Sequence, residues 1–168
     1  MRMNRVILAY SQLRGQLPAA VRARWRARLS PAHALRLSID PRAQSRTLLG
    51  VALASGGSVG VDIEPLVNRA ALPGWQGAFD AAERTAARSP RRALAIWTAK
   101  EAALKAAGAT LAELAQVRVR GRRVEFRGQR WYCRAPRITP DTVTRLVTAQ
   151  PVTRLLRQSV PASVALTP

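Results

Sequence analysis

The feature that most limits how this chain can fold is a segment delimited at both ends. Ser89-Pro90 has the form of an N-cap followed by proline at the first helical position, and Gly108 has the form of a C′ glycine. Together they predict a long helix over residues 91–107. A helix of that length is stable only when one side is buried against another layer, and strand signals supply that layer. Residues 47–54 form one apolar run and residues 59–63 a second, and Ser55-Gly56-Gly57-Ser58 between them reads as the turn of a hairpin. Residues 4–10, 117–124, 130–134 and 142–149 read as further strands, the later ones separated by turns at Gly121 and Gly128. A helix at about 78–88 precedes the long one, two short helices are expected at 18–28 and 31–39, and the tail after Pro151 reads as loosely held. The order of elements gives an α+β fold, with antiparallel strands packed with one long helix.

A length of 168 residues suits one compact domain or two small lobes and excludes a large multidomain assembly. No apolar run approaches the ~18 residues of a membrane span, and the apolar stretch at 6–10 is too short for a signal-peptide core, so a cytoplasmic protein is expected. Cys133 and His33 are the single residues of their types. Neither an internal disulfide nor a Cys/His zinc site can form, and any metal must be held by oxygen ligands.

The net charge of +19 predicts attraction to polyanions, whether nucleic acid, anionic lipid, phosphorylated cofactor or acidic protein. Arg22, Arg24, Arg26 and Arg28 surround Trp25, a mixture found in nucleic-acid binders. On a helix they divide into two stripes on opposing sides, which fits a solvated surface better than a nucleic-acid site. Of the 28 basic residues only Lys100 and Lys105 are lysines. A bias that has turned lysine into arginine wherever either would serve singles out these two positions.

Two constellations carry chemistry. In Gly60-Val61-Asp62-Ile63-Glu64 the carboxylates lie two apart on a strand and project from one face. Their repulsion is relieved by a cation such as Mg²⁺, which takes one or two carboxylates plus water and substrate phosphates; the alternative is a solvated acidic edge. In the second segment, residues 97–108, Trp97, Glu101 and Lys105 share one helix face, with Lys100 beside Glu101. An ordinary surface ion pair between Glu101 and Lys105, over a core Trp97, is the alternative there. Only nine acidic residues occur in the chain, yet three of them, and both lysines, fall in these two segments.

Taken together, the segments resemble the paired signature of the 4′-phosphopantetheinyl transferases, Gly-x-Asp-x-Glu followed by Trp-x-x-Lys-Glu-Ala-x-x-Lys. Phe79-x-x-x-Glu83 resembles a third landmark of that family, and Gly108 falls where the family's helix ends. The likeness covers residues 47–117, and the Asp62-to-Glu101 spacing is closer to the two-lobed class. It implies the family's pseudo-two-fold fold, with a reduced N-terminal lobe at 1–46, a catalytic lobe at 47–150 and a tail at 151–168. It implies transfer of the phosphopantetheine arm of coenzyme A to a serine of an acyl or peptidyl carrier protein, with release of 3′,5′-ADP.

By the same resemblance Asp62, Glu64 and Glu101 hold Mg²⁺ or Mn²⁺, and Lys105 contacts the coenzyme A phosphates. Glu101, or a water on the metal, accepts the serine proton. Lys100 is a second phosphate contact or a carrier-facing charge, and Trp97 is packing support. The Gly-Lys-Pro and Ser-His-Ser segments usual upstream in two-lobed members are missing, so Arg42 and Arg46 are the expected substitutes, through bidentate phosphate contacts. The expected partners are coenzyme A and an acidic carrier; membrane and nucleic acid are not expected. The alternatives are a degenerate relative that binds carrier without efficient transfer, and a basic nucleic-acid-binding module.

Overall fold

The computed structural model describes residues 5–13, 47–54, 57–66 and 75–159. In chain order the elements are β1 (Arg5–Leu13), β2 (Thr47–Ala54), β3 (Val59–Pro65), α1 (Trp75–Ala78), α2 (Ala81–Ala86) and α3 (Pro90–Ala107). A 3-10 helix (Leu111–Gln116) follows, then β4 (Arg118–Arg120), β5 (Arg123–Phe126), β6 (Gln129–Arg134), β7 (Thr142–Thr148) and β8 (Arg154–Ser159). The local signals for α3 operate as the sequence suggests. Ser89 accepts the Arg92 N–H at 3.3 Å, Pro90 occupies the first turn, and Gly108 closes the helix with φ 68° in the left-handed region.

Among the described residues the strands form two sheets, a larger one ordered β3-β7-β6-β5-β4 and a smaller one ordered β2-β1-β8. The larger sheet is the middle of three layers. One face packs on α3 through Val124, Phe126, Trp131, Cys133 and Val147 against Ala99, Ala102, Ala103 and Ala106. Its other face packs on the smaller sheet, where Val59, Val61, Ile63 and Leu146 meet Val6, Leu8, Ala52 and Ala54. This mixed helix and antiparallel-sheet arrangement is the α+β fold that the element order implies. No helix among the described residues is long and apolar enough to cross a membrane.

Four local expectations are corrected. The two apolar runs at 47–54 and 59–63 do not form a hairpin: β2 pairs with β1 and β3 with β7, and the runs face each other across the core. Stacking in different layers buries the Val59, Val61 and Ile63 face of β3 against Ala52 and Ala54 of β2, which side-by-side pairing in one sheet would not do. The helix expected at 78–88 is shorter, Ala81–Ala86, because Asp80 in an extended conformation caps it and separates it from α1, which ends at Ala78. The strand expected at 117–124 is divided by the turn at Gly121, φ 62°, into β4 and β5. Of the segment after Pro151, residues 152–159 are held in place: Val152 is buried in the inter-sheet core and β8 pairs in parallel with β1, while residues 160–168 lie outside the described residues. The helices expected at 18–28 and 31–39 lie outside the described residues.

Candidate metal and phosphate site

Strand alternation builds one half of the site. Val59, Val61 and Ile63 point into the inter-sheet core, which sends Gly60, Asp62 and Glu64 to the face covered by α3. Gly60 makes the approach possible. A Cβ placed there would lie 2.0 Å from the Ala102 carbonyl oxygen and 2.5 Å from the Ala106 nitrogen, so only glycine lets β3 lie directly on the helix backbone. Two residues along, Asp62 is buried and Glu64 half-buried.

The helix supplies the other half. Glu101 and Lys105, one turn apart on α3, meet the carboxylates of β3. The Asp62, Glu64 and Glu101 carboxylates each offer an oxygen, all within 4.8 Å of one another. Lys105 Nζ forms an ion pair with Asp62 Oδ1 across the two elements. The i, i+4 surface pair between Glu101 and Lys105 is therefore not what this lysine serves. Trp97, half-buried, packs against the cores on both sides of it, as packing support would.

Burial, and the charges of Asp62 and then Glu64, push the Glu101 carboxyl up to about 8, and Lys105 offsets this only in part. Three converging carboxylates make an all-oxygen donor set that suits a hard divalent cation, and among the described residues no softer ligand joins them. The residues fit such an ion.

Lys100 requires a correction. It does not point to solvent or to the carboxylate cluster: its side chain is fully buried, its Nζ lies 2.9 Å from Glu83 Oε2, and it donates to the Val117 carbonyl. A phosphate or carrier contact is out of its reach in this geometry. Its pKa is held below the usual lysine range by burial, against the opposing pull of Glu83. Glu83, the last residue of the Phe79-x-x-x-Glu83 landmark, is the partner that sequence reasoning did not assign. Two signals pointed to it: Asp80 and Glu83 stand at capping-box spacing, and a lysine survives at 100 in an arginine-rich chain. Arg42 and Arg46 lie outside the described residues.

No curated protein matches the chain. The family model of the 4′-phosphopantetheinyl transferase superfamily matches residues 58–152, which takes in β3, α3, the whole larger sheet and every member of the carboxylate cluster. Because that match spans more than half of its 168 residues, the chain belongs to the 4′-phosphopantetheinyl transferase superfamily.

Proposed function

We propose that the protein transfers the 4′-phosphopantetheine arm of coenzyme A to a serine hydroxyl of an acidic acyl or peptidyl carrier protein. The observation that carries this reading is the convergence of Asp62, Glu64 and Glu101 within 4.8 Å, with Lys105 beside them, in a chain of this superfamily. Asp62, Glu64 and Glu101 would hold Mg²⁺, or Mn²⁺ in its place. When bound, the ion neutralises pyrophosphate charge and keeps attacking and leaving oxygens in line.

The chain's own residues do the rest. Lys105 supplies a positive charge next to the carboxylates and would turn from Asp62 toward a phosphate oxygen of coenzyme A. The serine oxygen forms a bond to the pantetheine-side phosphorus, the pyrophosphate P–O bond breaks, and 3′,5′-ADP leaves with the electron pair. Glu101 in its carboxylate form takes the hydroxyl proton.

The test is transfer from a coenzyme A carrying a fluorophore on its thiol to a panel of apo carriers from fatty acid, polyketide and nonribosomal peptide synthesis. Label should appear on at least one carrier and vanish when its acceptor serine is replaced by alanine. Absence of label on every carrier, with tight binding of an oligonucleotide at physiological salt instead, would overturn the reading in favour of a nucleic-acid-binding module.

A further inference from the structure

The buried pair Lys100–Glu83 lies outside the cluster, and the chemistry above makes no use of it. Glu83 Oε1 accepts the Val119 N–H at 2.6 Å, Glu83 Oε2 accepts the Asp80 N–H at 2.9 Å, and the same Oε2 meets Lys100 Nζ at 2.9 Å. Lys100 closes the circuit by donating to the Val117 carbonyl, with its ammonium 5.7 Å from the centre of the Phe79 ring. Arg120, also on β4, reaches Asp80 at 2.5 Å from outside. Three elements, α2, β4 and α3, are thereby tied through two fully enclosed charges.

Lys100 directly precedes Glu101, about 100° around the same helix. Gly60 lets α3 seat on β3 along one flank, and the Lys100–Glu83 pair holds another flank to β4 and α2. Rotation of α3 by about 10°, at the ~6 Å radius of a helical side chain, would move the Glu101 carboxylate by roughly 1 Å. An error of that size costs about 100-fold when metal and reacting groups must be held in line.

Resting on the transferase reading, we infer that Lys100 and Glu83 are positioning residues: their buried ion pair sets the rotation of α3 and so places Glu101 against Asp62 and Glu64. This also explains why lysine persists at position 100. A planar guanidinium is larger than an ammonium and presents its donors in a rigid fork, so it cannot replace a point donor enclosed between Glu83, Val117 and Phe79.

The test compares wild type with the double variant Glu83→Gln/Lys100→Met, which removes both buried charges together and leaves neither stranded. Three readouts are taken on each protein: melting temperature, Mg²⁺ affinity by calorimetry, and kcat and KM for transfer. The double variant should stay folded, bind Mg²⁺ about 10- to 100-fold more weakly and lose kcat by a similar factor, with KM for the carrier little changed. Glu83→Asp keeps both charges and shortens the reach by one methylene. It should weaken Mg²⁺ binding in the same direction, and it carries the test should the double variant not fold. Wild-type Mg²⁺ affinity and kcat in whichever variant is folded would overturn the inference. A wild-type protein that neither binds Mg²⁺ nor transfers would instead overturn the transferase reading on which it rests.

Discussion

Gly60→Ala is the perturbation whose magnitude follows most directly from the geometry. The added Cβ would sit 2.0 Å from the Ala102 oxygen and 2.5 Å from the Ala106 nitrogen, both backbone atoms that no rotamer change can move. Reaching even 3.0 Å, the lower limit of real Cβ contacts, requires β3 and α3 to separate by about 1 Å. Overpacking of this kind costs about 1–3 kcal/mol or more. The stiffer unfolded chain of alanine returns only about 0.4–1 kcal/mol, so the clash wins, and a net loss of about 2 kcal/mol is expected. For a chain of this size that lowers the melting temperature by roughly 4–8 °C.

The same separation pulls Asp62 and Glu64 away from Glu101, so Mg²⁺ affinity should fall by about tenfold or more. Thermal denaturation and Mg²⁺ calorimetry on the purified variant measure both effects. A Gly60→Ala protein with wild-type melting temperature and Mg²⁺ affinity would refute the claim that β3 lies against the helix backbone to assemble the cluster.

Three further outcomes are expected. Glu101→Gln and Asp62→Asn should each slow transfer by about two orders of magnitude or more while the protein remains folded, as judged by circular dichroism; a near-wild-type rate in either would mean that the carboxylate concerned is not part of the chemistry. The Glu101 pKa of about 8 lies above the ordinary 4.5, so the stability its proton contributes is full below pH 4.5 and is lost as pH rises through about 8. Because a ligand must be deprotonated, Mg²⁺ affinity should rise with pH, by up to about tenfold per unit, and level off above pH 8; a flat profile between about pH 6 and 8 would contradict this. With a net charge of +19, docking of an acidic carrier should be steered at long range, so its KM should climb steeply with added NaCl while kcat changes little; a KM indifferent to salt would exclude electrostatic docking.

The two halves of the cluster were legible in the sequence because they obey local rules, while their union was implied only by the resemblance to the transferase family. Two carboxylates two apart on a strand share a face, and Glu101 and Lys105 one turn apart share another, so each half could be placed before the fold was seen. The boundaries of α3 were legible for the same reason, since Ser89, Pro90 and Gly108 act on their own neighbours. What escaped the sequence depends on contacts far apart along the chain. Lys100 looks like any exposed helix lysine until Glu83, Val117 and Phe79 are seen to enclose it. The turn residues between β2 and β3 suggest pairing, but Val59 and Val61 are better buried against Ala52 and Ala54 across the layer than beside them. A polar, arginine-bearing β8 carries no pattern of its own and becomes a strand because the edge of β1 offers it a backbone ladder.

The central claim is that Asp62, Glu64 and Glu101 jointly hold a divalent cation. Anomalous diffraction from crystals grown with Mn²⁺ and coenzyme A tests it directly. One strong peak should appear within about 2.0–2.4 Å of an oxygen from each of the three carboxylates, with Lys105 turned toward the pyrophosphate. A peak that avoids Glu101, or a coenzyme A pyrophosphate bound away from the cluster with Lys105 still on Asp62, would contradict it.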